Sequence, residues 1–592
     1  MRTKILQTTA LVLFFHCANA QVTYTLITSG LSSVTFGSGA SEIELGDIDG
    51  DGDLDIATIG DHGSPNIGAS EGGIMIWKNN GTGTNWSLSK SGNFGYGGVA
   101  LGDVNNDGKM DIGYGMHHNN STTDFGNGVL EVSLGDGSGA SWTPYDDSLG
   151  AQGQSWGMFG VDFGDINNDG LLDIGSNGFG CCDGIWLYKN LGNGTWQVTD
   201  GNLGGNSNHQ FKMGDFNNDG HVDCATANEW GQVWKNKGGG VITGLQNGIP
   251  DDPYMTFDIA DVNNDGAKDI AVESSSGAKV YFYNKAASAW QSISAGLPST
   301  GVEGVELADM DMDGKCDLVS WSTTGIIIYK GDAAGNWSPI DTIAATMGQY
   351  GMSCAATGDL NKDGYTDLVY LSKGSTGSNV LRVYLSSVAT HSLNVLPVFP
   401  KGYECFVPGS VQFLSWLSSE LPGPASTITI EFSSAGNSGP WSPVVSNAPN
   451  SGSFQWIVPA VNSSNCYLKY TITQGANNQS VILSNPFGVG SCATPPPTGV
   501  NEYENSSLNL VTFPNPMSII GYVQFTLAET TFTEIKLYDM VGKEVSSIAR
   551  ETLNAGGHTI QFSCAQINSG VYFVKVVCGK VVMESKVVVV HD

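Results

Sequence analysis

Short apolar runs separated by clusters of glycine, asparagine and aspartate fill the first two thirds of the chain. Examples are residues 74–80 (IMIWKNN), 185–190 (IWLYKN) and 326–330 (IIIYK). Runs of β-branched and aromatic residues bounded by turn-forming residues are typical of β-strands. The composition agrees, because 80 glycines and only 14% charged residues suit tight turns better than long helices. The pattern predicts an all-β fold.

A nine-residue acidic element recurs seven times in this region. The copies are DIDGDGDLD from Asp47, DVNNDGKMD from Asp103, DINNDGLLD from Asp165, DFNNDGHVD from Asp215, DVNNDGAKD from Asp261, DMDMDGKCD from Asp309 and DLNKDGYTD from Asp359. Their starts lie 56, 62, 50, 46, 48 and 50 residues apart. Four strands and four turns of about six residues each make about 48 residues, the size of a propeller blade. The repeat predicts a seven-bladed β-propeller over residues 21–390, with an open solenoid as the alternative.

The two ends of the repeat region are expected to share one blade. After Asp367 only two strand-like runs remain, whereas residues 25–33 resemble residues 292–300, which hold the fourth-strand position of their own repeat. The N-terminal strand should therefore complete the seventh blade and close the ring. Closure leaves no free sheet edge.

The acidic elements have the character of calcium loops. Positions 1, 3, 5 and 9 carry Asp or Asn in every copy, and position 6 is always glycine, which permits a sharp turn. Calcium takes about six to eight oxygen ligands, and position 7 can add its backbone carbonyl. The sequence therefore predicts about seven structural calcium ions rather than plain acidic turns, with magnesium less suited because it retains water. The predicted metal ligands are Asp47, Asp49, Asp51, Asp55, Asp103, Asn105, Asp107, Asp111, Asp165, Asn167, Asp169, Asp173, Asp215, Asn217, Asp219, Asp223, Asp261, Asn263, Asp265, Asp269, Asp309, Asp311, Asp313, Asp317, Asp359, Asn361, Asp363 and Asp367.

Phe-Gly pairs precede three of the loops, at Phe36-Gly37, Phe94-Gly95 and Phe159-Gly160. With the loops, they resemble the FG-GAP (VCBS) repeats of integrin-alpha-like propellers, over about residues 21–390. The resemblance implies metal loops on a lower face and ligand binding on an upper face. Aromatic and polar side chains there could bind a glycan or a protein, although the tryptophans could instead pack between blades. The candidate ligand-binding residues are Trp156, His209, Tyr254, Glu303, Trp230 and Tyr350.

No catalytic residues are predicted. Residues 153–157 match GxSxG, but that nucleophile motif needs a following helix, and here a repeat strand follows. Some FG-GAP propellers are polysaccharide lyases. An adhesion or ligand-binding platform is therefore the leading interpretation, and a carbohydrate-active enzyme (polysaccharide lyase or hydrolase) using the upper face is the alternative.

Two further domains are expected after the propeller. Residues 391–492 contain alternating runs at 427–434 and 453–459 and resemble an Ig-like β-sandwich, expected to act as a spacer or accessory binding surface. Residues 493–510, with three consecutive prolines, read as a linker. The motifs FPNP, IKLYDMVGKEV and INSGVYFVKV within residues 511–592 resemble the type A C-terminal β-sandwich sorting domain of the Bacteroidota type IX secretion system. That resemblance implies the secretion machinery as a partner.

The N-terminus reads as an export signal over residues 1–20. Arg2 and Lys4 precede an apolar stretch at residues 10–15 that is far shorter than the roughly 20 residues of a membrane span. We therefore expect a secreted protein or one attached to the outer-membrane surface, and the net charge of −32 argues against nucleic acid as a partner.

An oxidising compartment permits disulfides. The candidate pairs are Cys405 with Cys466 or Cys492, and Cys564 with Cys578. Neighbouring Cys181 and Cys182 could form a vicinal disulfide or have separate roles.

Overall fold

The structure is a computed structural model of the 592-residue chain. It describes residues 22–31, 34, 36, 42–60, 72–92, 94–95, 97–116, 128–150, 158–178, 184–203, 208–228, 232–250, 254, 256–322, 325–345, 355–373, 379–387, 392–492, 510–513, 517–527, 530–539, 543–565, 567–578 and 581–591. The chain divides into two compact units, Met1–Thr494 and Pro495–Asp592. Within the described ranges all regular structure is β, which confirms the predicted fold class.

Seven antiparallel four-stranded sheets are formed by residues 23–387. After β1 (Thr23–Ile27), sheet I comprises β2 (Glu44–Gly46), β3 (Asp55–Ile59), β4 (Ile74–Asn79) and β5 (Trp86–Ser91); sheet II β6 (Val99–Gly102), β7 (Asp111–Gly115), β8 (Leu130–Gly135) and β9 (Trp142–Pro144); sheet III β10 (Met158–Gly164), β11 (Asp173–Gly178), β12 (Gly184–Asn190) and β13 (Trp196–Leu203); sheet IV β14 (Asn208–Gly214), β15 (Asp223–Asn228), β16 (Gln232–Asn236) and β17 (Ile242–Gly244); sheet V β18 (Phe257–Ala260), β19 (Asp269–Ser274), β20 (Gly277–Asn284) and β21 (Ala289–Ser292); sheet VI β22 (Gly304–Ala308), β23 (Asp317–Ser322), β24 (Gly325–Gly331) and β25 (Trp337–Ile343); and sheet VII β26 (Ala355–Gly358), β27 (Asp367–Lys373) and β28 (Asn379–Ser387), completed by β1.

The sheets are arranged as a ring. The first strand of each sheet contacts the first strand of the next, and β26 of sheet VII contacts β2 of sheet I. The N-terminal strand β1 pairs with β28, with Thr23 opposite Ser387 and Ile27 opposite Val383. This pairing is the one predicted from the similarity of residues 25–33 to a fourth strand. The repeated four-stranded sheets are consistent with the blades of a propeller.

Asparagine side chains at the end of the third strand bond neighbouring sheets together. Asn190 Nδ2 donates to the carbonyl of Val104 in the preceding sheet at 2.8 Å, and Asn236 Nδ2 donates to Ile166 O at 2.7 Å. Asn79 Nδ2 makes the equivalent bond to Leu360 O of sheet VII at 2.8 Å, across the closure of the ring. Because these amides are buried, each bond satisfies groups that would otherwise be left without partners. The asparagine of the recurring Lys-Asn pair therefore links neighbouring sheets of the ring.

Residues 394–489 form two sheets that share one apolar core. The strands are β29 (Asn394–Phe399), β30 (Cys405–Phe406), β31 (Val411–Ser419), β32 (Thr427–Ser433), β33 (Ser442–Pro449), β34 (Ser453–Ile457), β35 (Ser463–Gln474), β36 (Asn477–Ile482) and β37 (Phe487–Val489). One sheet has the order β29-β31-β34, and the other β30-β37-β35-β32-β33, with β36 beside β35. Leu414, Trp416, Ile430 and Phe487 are buried between them. We call this part the sandwich.

A disulfide joins Cys405 to Cys492 and thus ties the beginning of the sandwich to its end. Cys466, the alternative partner, is buried and unpaired. The second candidate pair is not formed, because Cys564 and Cys578 are separate buried thiols in the core of the C-terminal unit. Residues 181 and 182 lie outside the described residues.

The sandwich lies directly on the acidic loops of the ring. Val411 N donates to Asp165 Oδ2 at 3.0 Å, and Glu420 N donates to Lys362 O at 2.8 Å. Gln455 makes two hydrogen bonds with the Asp103 backbone, at 3.0 and 2.8 Å.

The remaining four loops are also touched by the sandwich. Lys401 Nζ donates to Gly314 O at 3.1 Å, and Asn218 Nδ2 donates to Tyr403 O at 2.9 Å. The backbone at Gly266 and Gly52 approaches Tyr403 and Pro449 respectively. All seven loops therefore meet this domain, which caps the loop face of the ring rather than acting as a spacer.

The C-terminal unit is a separate pair of sheets. Its strands are β38 (Val511–Phe513), β39 (Ile520–Leu527), β40 (Thr531–Asp539), β41 (Glu544–Leu553), β42 (Gly556–Ser563), β43 (Gly570–Cys578) and β44 (Val581–Val589). The sheet orders are β38-β39-β42 and β41-β40-β43-β44. Val523, Leu537 and Val576 are among the side chains buried between the sheets. In the described part of the chain, no helix has the length and apolar character needed to cross a bilayer.

Gly266→Ala should weaken the docking of the sandwich, whereas Gly108→Ala should not. Both glycines occupy position 6 of a loop with φ near +85°, at 89° and 82°, so the backbone strain of an alanine is matched. A Cβ at Gly266 would lie 2.5 Å from the Tyr403 carbonyl carbon, while one at Gly108 would meet nothing within 4 Å. We expect Gly266→Ala to be more destabilising by about 1–3 kcal/mol, the usual range for overpacking. Calorimetric melting in calcium checks this; equal destabilisation by the two variants would contradict the docking.

Candidate metal centres

The seven acidic loops share one backbone conformation, fixed by their own carboxylates. The position 1 carboxylate accepts the N–H of the position 6 glycine in every loop, as in Asp47 with Gly52 at 3.0 Å and Asp261 with Gly266 at 2.9 Å. The position 9 carboxylate accepts the N–H of position 2 in every loop, as in Asp317 with Met310 at 3.0 Å. The 28 predicted oxygen donors are thereby gathered between the first and second strands of their sheets.

Two residues of each loop have left-handed backbone. Position 6 is glycine with φ between 82° and 93°, as its invariance in the repeat predicted. Position 4 also has positive φ in all seven loops, and sequence reasoning missed it. A signal was present, because position 4 is asparagine at 106, 168, 218 and 264 and glycine at 50, residue types that tolerate this conformation.

The side-chain oxygens suit a hard cation. Carboxylate oxygens of Asp47, Asp49 and Asp51 lie within 4.8 Å of one another, and so do those of Asp309, Asp311 and Asp317. Several loop oxygens are buried with no hydrogen-bond partner, namely Oδ1 of Asp47, Asp49, Asp269 and Asp311 and Oδ1 of Asn167. Buried acceptors without partners are costly unless a ligand satisfies them. The donor set, carboxylate and amide oxygen only, is the one that calcium prefers.

Position 9 also braces the loop against the third strand. In six loops its second oxygen accepts a backbone N–H there, as in Asp55 with Asn79 at 2.8 Å and Asp173 with Asn190 at 2.8 Å. In sheet V the corresponding oxygen, Asp269 Oδ1, has no such partner. Position 9 could therefore hold a cation only through lone pairs that these bonds leave free.

Burial raises the pKa of several loop carboxyl groups. Desolvation raises the pKa of Asp47 to about 6, that of Asp111 to about 7 and that of Asp55 to about 8. Backbone N–H groups at Gly52, Gly135 and Asn79 oppose these shifts without cancelling them. Such groups need a proton or a cation near them.

A lysine of the third strand reaches four of the loops. Lys78 Nζ lies 3.6 Å from Asp49 Oδ2, and Lys189 Nζ lies 3.0 Å from Asp169 Oδ2. Lys235 bonds Asp219, and Lys330 bonds Asp311. The equivalent residues of sheets II, V and VII are Leu134, Phe282 and Leu385. A cation that binds the acidic loop of sheet I, III, IV or VI must therefore compete with a lysine ammonium group. The loops of sheets II, V and VII have no lysine at that position of the third strand.

The candidate ligand-binding residues are only partly within the described residues. Glu303 is exposed where the first strand of sheet VI begins, and its N–H donates to Trp321 O at 2.8 Å. Tyr254 is 3% exposed and packs edge-on against Phe257, so its assignment to a ligand-binding rim was wrong. An apolar environment holds its ring in the core. The backbone of His209 lies in β14, but its side chain is outside the described residues, as are Trp156, Trp230 and Tyr350.

Two family models match the chain. The FG-GAP-like repeat matches residues 47–114, 215–272, 261–320 and 309–370, and the secretion system C-terminal sorting domain matches residues 511–590. Both resemblances expected from the sequence are thus confirmed. The sorting domain implies handling by the type IX secretion system, and hence secretion or localisation at the cell surface.

Two solved structures that resemble this chain are distant from it in sequence. BBS1N in complex with ARL6DN is 11% identical, with a TM-score of 0.35 over 61% of this chain and 97% of that chain. The Photorhabdus luminescens Tc holotoxin pore is also 11% identical, with a TM-score of 0.30 over 94% of this chain and 29% of that chain. No curated protein matches the chain significantly.

The stabilising effect of calcium should grow as the pH rises from about 5 to 8. Asp47, Asp111 and Asp55 have pKa values of about 6 to 8 in the metal-free fold, above the value of about 4 in an unfolded chain. The folded chain then binds more protons than the unfolded chain, so metal-free stability is lost as the pH rises through this window. Calcium needs ionised ligands and reverses the trend. Melting temperatures with EDTA and with calcium at several pH values check this; an identical calcium increment at pH 5 and pH 8 would be inconsistent with it.

Proposed function

We propose that this chain, which carries FG-GAP-like repeats and a secretion system C-terminal sorting domain, is a secreted or cell-surface calcium-binding propeller that presents a binding platform to a glycan or protein ligand. The observation that carries the proposal is the set of converging, buried and unpartnered oxygens in the repeated loops. Residues 1–20 are proposed to be the export signal that is removed from the mature protein.

The proposed calcium ions have a structural role. The loops join the first and second strands of the sheets, and the sandwich rests on all seven of them. Ions held there would neutralise the carboxylates beneath the domain interface and fix the loop backbone to which the sandwich bonds. We therefore expect calcium to stabilise the ring and the docking together.

The position of the sandwich supports a proposed ligand site at the other end of the ring. In an antiparallel four-stranded sheet, the connection between the second and third strands lies opposite the one between the first and second. The loop end is covered by residues 394–490, and the exposed Glu303 lies at the uncovered end. An exposed charged group at such an end suits recognition of a glycan or protein surface.

Loop I offers a matched pair of variants that tests the calcium assignment. Asp51→Ala removes the position 5 oxygen and should reduce the number of bound calcium ions by one, because Asp51 lies with Asp47 and Asp49 around one centre. Asp53→Ala removes an equal charge two residues later, at position 7, where only the backbone carbonyl is proposed to bind. It should leave the ion count unchanged. Elemental analysis after dialysis against calcium measures the bound calcium of both variants. A wild-type protein without bound calcium, or an equal loss in the two variants, would contradict the assignment.

A binding screen on the full chain tests the platform. Calcium-loaded protein should retain at least one polysaccharide or surface protein without altering it, and Glu303→Lys should weaken retention while Gln455→Ala, on the covered loop end, should not. In the described structure, the hydrogen bonds of the Gln455 side chain go to the Asp103 backbone, across the interface between the sandwich and the ring. Appearance of new reducing or unsaturated ends during incubation would instead make the protein a carbohydrate-active enzyme.

A further inference from the structure

A ring of equivalent side chains lines the inside of the propeller. One residue of each first strand stands three places before the loop, and all seven have the same register with the second strand of their sheet. Because the first strands contact each other in succession around the ring, these residues surround its axis. They are Glu44, Ala100, Asp162, Lys212, Asp258, Glu306 and Ala356, and we call them the channel ring.

The channel ring is acidic and its charges interact. Lys212 Nζ lies 3.4 Å from Asp258 Oδ1. Burial lowers the pKa of Lys212, but Asp258, Glu44, Glu306 and Glu42 together raise it well above its usual value. Glu42, two residues before Glu44, adds a fifth carboxylate to the four of the ring, so five acids face one ammonium group.

Two of these carboxylates are held by the neighbouring sheet. Asp162 Oδ2 accepts the N–H of Met213 at 2.7 Å, and Asp258 Oδ2 accepts the N–H of Leu307 at 2.8 Å. Each side chain therefore reaches across to the next first strand. A backbone N–H of the next sheet thereby satisfies one oxygen of each of these two side chains.

Glu42 provides an independent sign of a ligand. Its residue is only 1% exposed, and the Val99 N–H of the next sheet bonds its carboxylate. Its second oxygen, Oε2, is buried with no hydrogen-bond partner. The charged groups that act on it are Glu44, Lys212 and Asp162, so this oxygen belongs to the channel and not to a loop. A buried carboxylate oxygen without a donor is costly unless a proton, a water molecule or a cation satisfies it.

We propose that the propeller channel binds one hydrated divalent metal cation between Glu42, Glu44 and Asp162, at a site separate from the acidic loops. The donors are carboxylate oxygens only, which selects a hard cation. Among the described residues, carboxylates close enough to share three oxygens around one centre occur in loops I and VI and not in the channel. The channel ion therefore keeps water molecules between itself and part of its ligands, as magnesium commonly does.

The competing arrangement is a protonated channel. Burial raises the pKa of Glu42 well above its usual value, that of Glu44 to about 7 and that of Asp162 to about 6, so a cation entering this site must displace protons. Lys212 supplies one positive charge, which leaves four of five carboxylates to be neutralised. One divalent ion would neutralise two of these four negative charges.

A double variant with a matched control tests the site, with Mn²⁺ as the probe because it accepts the same oxygen ligands. Glu42→Gln/Glu44→Gln should bind one Mn²⁺ fewer than the wild type by elemental analysis of the dialysed full chain. Glu303→Gln, an exposed glutamate outside the channel and the loops, should lose none. An unchanged count in the folded double variant overturns the proposal and leaves protons as the neutralising species.

Crystals of the wild-type protein grown with Mn²⁺ give a readout that does not depend on the variant folding. An anomalous difference peak on the ring axis beside Glu42 and Glu44 supports the site. Peaks at the acidic loops with none on the axis overturn it, while leaving the proposed function of the loops intact.

Discussion

The structure depends on how buried carboxylates are neutralised. Each loop places several acidic side chains under a second domain, where water screens them poorly, and the channel adds five more. Backbone N–H groups satisfy part of this charge, as at Gly52 and Ile48 in loop I. Lysines of the third strand satisfy another part in four sheets. What remains is charge that protons or cations must balance, and the proposed ions follow from that requirement.

Much of the ring could be predicted from the sequence because its determinants are local and repeated. The glycine at position 6 and the oxygen positions lie within nine residues, and their sevenfold recurrence, 46 to 62 residues apart, removes the ambiguity of a single copy. Closure by β1 was also visible, since residues 25–33 still carry the pattern of a fourth strand. The asparagine of the Lys-Asn pair was visible too, but its partner, a carbonyl of the preceding sheet, was not.

The docking of the sandwich left no trace in the sequence. Several of its bonds use backbone atoms, such as Val411 N, Lys362 O and Tyr403 O, which any residue supplies. Tyr254 shows a related limit, because an aromatic residue before a first strand can equally face solvent or fill the gap beside Phe257. Local pattern specifies the element, whereas the packing partner of a non-repeated side chain is decided by distant parts of the chain.

The pairing of β1 with β28 has a consequence for the order of folding. Thr23 and Ser387 bond across 364 residues of sequence, so sheet VII gains its outer strand only from a segment made long before its other three. The entropy of closing so large a loop grows only logarithmically with length, which keeps the finished ring stable. The rate is a different matter, since contacts between distant segments form slowly. Assembly of the ring should therefore end with the capture of its own first strand, and until then the chain must keep β28 from pairing with another molecule.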